Sequence, residues 1–319
     1  MAVYTEVSFE ELENFLKSYD VGTPRVFKGI AEGVSNSNYF LQTEKATFIL
    51  TLYEKRIKTD ELPFFLDLME HLAALGIPCP TPVHAKNGST TASLKDHSAA
   101  ILTFLDGVSL CRPSTEHCLL AGSALANLHV KGKKISQHRE NALGLSSWKA
   151  IAAEIMAEGN DVVDGVTKLV EAELDFLSMN WPSSLPSGII HADFFPDNVL
   201  FVKNKISGII DFYFACTDAF SYDLAVALNA WCFEADGSYN VTKGQALISG
   251  YDSVRVLEQS EREALPILCR GAALRFLLTR LYDWLNDSPD AFVKPKNPNE
   301  FVRRLRFHQS AAGPEAYGI

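Results

Sequence analysis

The chain has 319 residues, 47% of them hydrophobic and 21% charged, with a formal net charge of -10. That make-up is of a globular protein long enough for two lobes, and its acidity disfavours nucleic acid, whose binders gather Lys and Arg on one face. Six cysteines (Cys79, Cys111, Cys118, Cys216, Cys232, Cys269) form no CxxC pair, so they read as small core residues of a reducing compartment, not as a zinc cage or disulfide framework.

The opening MAVYTEVSFEELENFL is rich in glutamate and lacks a basic stretch ahead of an apolar one, which argues against a signal peptide. No apolar run nears the ~18 residues of a membrane span, and a cytoplasmic protein is expected. Ser8 with Glu11 three residues on forms a capping-box pattern for a helix through about Ser18. RVFKGI, SNSNYFLQT and ATFILTLYEK then read as an antiparallel meander. Asp60 to Leu75 has helical periodicity and stops at Gly76, ahead of the prolines of GIPCPTPV. Asn87-Gly88 signals a hairpin and HSAAILTFL a buried strand. After DGVSLCRPS a helix starts around Ser114, and the remainder is mainly helical apart from a β-rich stretch between Ile189 and Phe212.

That stretch carries the chemistry. HADFFPDNVLF and IIDF set Asp193, Asn198 and Asp211 among apolar residues, where a carboxylate requires a reason. Asp193 and Asn198 lie in a loop between two apolar runs and Asp211 ends a third, so adjacent strands would gather all three at one end of a hairpin. A carboxylate and an amide oxygen, with waters, suit Mg²⁺, and a carboxylate left free of metal can take a proton: the kit for phosphoryl transfer. The competing view, that Asp193 and Asn198 only make a turn, leaves Asp211 without a purpose.

HADFFPDN followed by IIDF resembles the HxDxxxxN loop and metal-binding Asp of the aminoglycoside phosphotransferase and choline kinase superfamily. The order of parts is similar across nearly the whole chain: β-rich lobe, long helix, hinge-like ILTFLDG, a helix ending ALANLH, then the two loops. The resemblance implies an α+β, two-lobed protein-kinase-like fold, with a small antiparallel N-terminal lobe holding one long helix (1–105, nucleotide-binding) and a larger, mainly helical lobe (106–319, catalytic and substrate-binding). It implies ATP and Mg²⁺, with Asp193 as base and Asn198 and Asp211 as metal ligands. Asp223, in DAFSYDLA, is implied as a structural anchor. GIAEGVSNSNY, with Gly29, Gly33 and Ser35, is the expected phosphate-covering loop, and adenine is expected at the backbone of Thr103 to Leu105. His191 is open between a structural histidine bonded to backbone and a residue of the substrate site.

The chain departs from the family pattern where a strand Lys pairs with a helix Glu: Thr51 stands at the basic position and Phe65 at the acidic one. Losing both together avoids an unpaired buried charge, and Lys28, Lys55 and Arg56 are the neighbouring cations for the phosphates.

Within the superfamily, YTEVSFEELENFL, ENALGLSSWKAI and RGAALRFLLTRLYDW are similar to bacterial homoserine kinases of this fold, which implies L-homoserine as acceptor, in threonine biosynthesis. Homoserine is a zwitterion whose carboxylate needs a cation. Arg270, Arg275 and Arg280 sit in an apolar helical segment; Arg275 and Arg280 are candidate substrate residues, against ion pairing with Asp223 or Asp283. Trp148 and Trp231 read as core first. Another small alcohol (choline, methylthioribose, an aminoglycoside), an inactive nucleotide-binding scaffold and a metal-dependent hydrolase remain as alternatives. No membrane or nucleic-acid partner is expected, and the protein is expected to be a monomer or homodimer.

Overall fold

The computed structural model describes residues 5–30, 36–54, 58–157, 163–286 and 295–319. These divide into two units, one running through Asp106, the other from Gly107 to Asn286 and from Pro295 to Ile319.

In the first unit, helix α1 (Phe9–Leu16) starts at Ser8, whose hydroxyl accepts from the Glu11 N–H while the Glu11 carboxylate accepts from Ser8 N–H, the box expected from the sequence. Strands β1 (Pro24–Ile30), β2 (Asn36–Thr43) and β3 (Thr47–Tyr53) are consecutive antiparallel neighbours. Helix α2 (Leu62–Ala74) follows, then β4 (Ala92–Leu94) and β5 (His97–Thr103), closing a sheet of order β1-β2-β3-β5-β4. Strand side chains alternate between faces. One face, with Tyr39, Leu41, Leu50, Leu52 and Ile101, joins Leu12, Phe15 and Leu16 of α1 in a buried cluster.

The hairpin signal at Asn87-Gly88 marks a turn, with Gly88 at φ 86°, but not the one that sets register. Leu94 pairs with His97, and the two residues between, Lys95 and Asp96, both take positive φ, 51° and 62°. A two-residue hairpin loop requires that backbone, and Lys is not a residue from which it is read.

The second unit begins, after Ser114 as N-cap, with α3 (Thr115–Gly132), then α4 (Leu145–Ala157) and α5 (Val166–Asn180). Four short strands follow: β6 (Ser187–Ile190), β7 (Val199–Val202), β8 (Lys205–Ile209) and β9 (Cys216–Ala219). Then come α6 (Phe220–Trp231), α7 (Val241–Asp252), the long α8 (Gln259–Leu285) and α9 (Asn299–Ser310). The strands pair as β6 with β9 and β7 with β8. The two GII runs are therefore not neighbours on one hairpin, and Asp193 must reach the other two site residues by another route.

All six cysteines are free, and all but Cys111 are buried. Among the described residues, no helix is long and apolar enough to cross a membrane.

Candidate active site

The hairpin β7–β8 places two of the three polar residues. Val199 pairs with Ile209, and Asn198 and Asp211 lie just outside those ends, tied by Ile210 N–H donating to the Asn198 carbonyl at 2.9 Å. Asp193 joins them by side-chain bonds. The Asn198 amide donates to the Asp193 carbonyl (2.9 Å) and to its carboxylate (3.0 Å). The His191 ring spans the gap: the Asp193 N–H donates to Nδ1 (3.2 Å), so the ring proton sits on Nε2 and donates to the Ile210 carbonyl (3.0 Å). The three residues do converge, although the first arrives through His191 and Asn198 and not through strand pairing.

The loop is clamped from behind by buried groups. The carboxylate of Asp223, in the first turn of α6, accepts from the backbone N–H groups of His191 (2.7 Å) and Ala192 (2.8 Å) and from His129 Nε2 (3.0 Å). Arg275 of α8 donates to the Ala192 carbonyl, and Trp231 donates to that of Phe194 at 2.8 Å. Ala192 has φ 60°, a left-handed conformation that costs an L-residue roughly 1–2 kcal/mol. Its N–H and its carbonyl are both gripped, and that over-determination holds the strained residue ahead of Asp193. Asp211 is likewise left-handed, at φ 64°.

Electrostatics separates the carboxylates. Burial works to raise Asp223, but the hydrogen bond from His129, aided by the backbone N–H of His191, prevails and holds it below its ordinary value. Burial raises Asp193 against the pull of Arg275, His191, Lys296 and Asn198. Asp211 keeps an exposed face, yet surrounding protein first, and then the negative charge of Asp193, push it up to about 7. A carboxylate raised by the negative charge of its neighbour marks a place for a cation. With the Asn198 NH₂ committed to Asp193, its Oδ1 is left as a ligand beside Asp211. No cluster of three His, Cys, Asp or Glu suited to a metal occurs among the described residues. Two oxygen ligands fit a hard cation such as Mg²⁺, which retains water and is completed by phosphates.

Other expectations are corrected. His191 is fully buried with both ring nitrogens engaged, which matches the structural histidine of the two readings. Arg275 is 2% exposed and grips the Ala192 carbonyl instead of an acid. Arg280 binds Glu300 (2.6 Å) and the Asn297 carbonyl (3.1 Å), tying α8 to α9. Arg270 forms two bonds to Glu173 and lies on the Phe176 ring. Trp148 is core, bonded to the Leu143 carbonyl. Trp231 is core too, but its indole N–H supports the loop, a role that its helical surroundings do not disclose.

In the first unit, Thr51 is 2% exposed, bonded to Asn38, and Phe65 is buried, so both ion-pair positions are neutral. Gly29 lies in β1 opposite Tyr39, and pairing continues to Ile30 opposite Asn38, so Gly29 belongs to the strand. Gly33 and Ser35 lie, like Lys55 and Arg56, outside the described residues. Lys28 is exposed on β1. The Thr103 N–H donates to Thr81 and the Phe104 N–H to Thr47, whereas the backbone of Leu105 enters no hydrogen bond among the described residues.

A strand–loop–hairpin that sets a backed-up carboxylate beside an amide oxygen and a second carboxylate is the arrangement that phosphoryl transfer requires. The model of the phosphotransferase enzyme family matches residues 26–257, and the chain belongs to that family. Over its whole length it is 54% identical to the homoserine kinases of Xanthobacter autotrophicus and Parvibaculum lavamentivorans, covering 99% of each. Solved structures share the fold at low identity. An amicoumacin kinase in complex with AMP-PNP and Ca²⁺ superposes with a TM-score of 0.70 at 14% identity, over 95% of this chain and 93% of that one. A microcompartment-associated aminopropanol kinase gives 0.67 at 17% identity, over 95% and 97%. The fold is the two-lobed, protein-kinase-like α+β architecture.

Proposed function

We propose that the protein transfers the γ-phosphoryl group of ATP to the hydroxyl of L-homoserine, giving O-phospho-L-homoserine for threonine biosynthesis. The observation that carries this is the full-length 54% identity to homoserine kinases, in a chain whose loop keeps Asp193, Asn198 and Asp211 together.

Residues 1–105 form the nucleotide-binding lobe, and 106–319 the catalytic and substrate-binding lobe. Adenine lies against the backbone at Leu105, beside Thr103. The phosphates are covered by the loop following Gly29, with Gly33 and Ser35, and Lys28 is the described cation available in place of a strand lysine. Asn198 Oδ1 and Asp211 would hold Mg²⁺, which would supply positive charge against the phosphates.

Asp193 accepts the proton of the homoserine hydroxyl as its oxygen attacks the γ-phosphorus in line with the departing ADP. The chain serves this step by orientation. Asn198 and His191 fix Asp193, while Asp223, Arg275 and Trp231 fix the backbone on either side of it. Burial raises the Asp193 carboxyl, which makes it a better proton acceptor than a free aspartate.

The test is coupled ADP release with homoserine, choline, methylthioribose and an aminoglycoside offered separately. Homoserine should be turned over well ahead of the rest. Preference for another acceptor would replace the substrate, and turnover of none would favour a nucleotide-binding scaffold.

A further inference from the structure

Behind the loop clamp runs a buried polar chain that the phosphoryl-transfer step does not itself use. His129, at the C-terminal end of α3, has no solvent exposure. Its Nε2 lies 3.0 Å from Asp223 Oδ2 and its Nδ1 2.7 Å from the hydroxyl of Tyr251, at the end of α7. The Tyr251 hydroxyl also accepts from Arg255 NH1 at 3.3 Å, and Arg255 is held in turn by Glu261 at 3.0 Å.

The polarity of this chain follows from what each group can do. Asp223 already accepts two backbone N–H groups, and an ionised carboxylate only accepts, so His129 Nε2 must carry the proton. Arg255 only donates, so the Tyr251 oxygen is its acceptor and the phenolic hydrogen is directed away from it. The one partner for that hydrogen is His129 Nδ1, which is therefore bare. A doubly protonated His129 would leave the phenolic hydrogen without an acceptor in a buried site. Burial also disfavours the charged ring, as does the positive charge of Arg255, and together they outweigh Asp223 and Glu261.

The packing that allows this contact is built from two glycines. A Cβ on Gly122 of α3 would sit 1.9 Å from the Leu247 carbonyl oxygen, and one on Gly250 of α7 would sit 2.0 Å from that of Leu119. The two backbones touch, which brings a hydroxyl on α7 within reach of a ring on α3. His129 also lies against Phe220, at 4.8 Å between ring centroids, so its plane is held as well as its ends.

We propose that Tyr251 is a positioning residue for phosphoryl transfer: its hydroxyl, oriented by Arg255, holds His129 as the Nε2–H tautomer and so keeps Asp223 seated on the backbone N–H groups of His191 and Ala192. The chain Arg255, Tyr251, His129, Asp223 fixes from a distance where Asp193 stands, without touching substrate. Its kinetic consequence rests on the phosphotransferase reading above; the tautomer does not.

Full-length protein labelled with ¹⁵N-histidine reports the tautomer by NMR, and His129 should appear as Nε2–H. Y251F removes the one donor to Nδ1 among the described residues. It should mix the two tautomers and lower kcat roughly tenfold, with KM for ATP and for homoserine changed less than about threefold. His129→Gln keeps an N–H at the Nε2 position and should retain kcat at least about tenfold above His129→Leu, which offers Asp223 nothing. An Nδ1–H or doubly protonated His129 in the native protein overturns the proposal whether or not any variant folds. Unaltered kcat and tautomer in folded Y251F would do the same, as would equal turnover of the Gln and Leu variants. Failure of the functional reading looks different: no turnover of homoserine by the native protein, with the tautomer as described.

Discussion

The two units hold their polar residues by opposite means. In the second, Asp193 stands at the end of a series of buried bonds in which Asp223, Arg275 and Trp231 grip the loop backbone from α6 and α8, and His129 of α3 holds Asp223. In the first, the strand position that carries a lysine in the related pattern holds Thr51, bonded only to a neighbouring strand, and the helix position that would balance it holds Phe65. One region accepts the cost of burying charge in order to fix a loop. The other carries no charge at either of these two positions. The difference teaches that a buried charge is kept where bonds satisfy it and a loop depends on it, and that both members of a buried pair are most cheaply lost together.

The sharpest way to break that comparison is Asp193→Asn. Loss of the proton acceptor should lower kcat by about 10³-fold or more, while calorimetry shows affinity for a non-hydrolysable ATP analogue unchanged. A variant retaining native turnover would remove Asp193 from its role. Restoring the lysine in the first unit tests the other half. Thr51→Lys puts an ammonium in a site only 2% exposed, with Phe65 buried at the acidic position, and should cost about 3–5 kcal/mol in denaturant unfolding without raising kcat. Tolerance of that lysine would show the first unit to be less committed to neutrality than its burial implies.

A third expectation concerns pH. His308, bonded to Tyr317 and Asn229, is pushed down to about 3 by burial and then by Arg304 and Arg270. An unfolded histidine takes its proton near pH ~6.5. Between those values the unfolded chain binds the extra proton and the folded chain does not, so stability falls as pH falls through that window. From pH 7 to 5 this one residue should account for about 2 kcal/mol, the part of the loss that urea titrations of His308→Gln should lack. His129 and His191, lowered by burial in the same sense, add to the acid sensitivity of the native protein. The smallest effect is expected at Arg280. Its partner Glu300 has a side chain 53% exposed, so Arg280→Ala should cost only about 1 kcal/mol, with KM for homoserine changed less than about twofold. A large rise in KM would return Arg280 to the substrate site.

Much of this was legible in the residue order. Ser8 with Glu11, the periodicity ending at Gly76, and Ser114 ahead of a helix are local signals, and each element begins or ends where they stand. HADFFPDN and IIDF marked the site because carboxylates among apolar residues are costly and their spacing matched a chemistry. Two expectations went astray for physical reasons. The turn that sets the β4–β5 register is Lys95-Asp96, whose positive φ is imposed by strand pairing and not by residue preference. The arginines of α8 stayed open between a substrate role and ion pairing, and the partners named for them were wrong, because the true ones, a backbone carbonyl at 192, Glu173 and Glu300, are distant in sequence.

By itself the sequence determined the two-part organisation, the family and the candidates for the reacting groups, since these depend on residue type and short spacing. Tertiary structure alone decided which polar groups act on substrate and which act on the protein. His191 and Arg275 are chemically fit for either duty, and only the bond each makes, to Ile210 and to Ala192, assigns them to holding the loop. A hydrogen bond is a matter of direction and distance between residues far apart in the chain, and no local pattern encodes it.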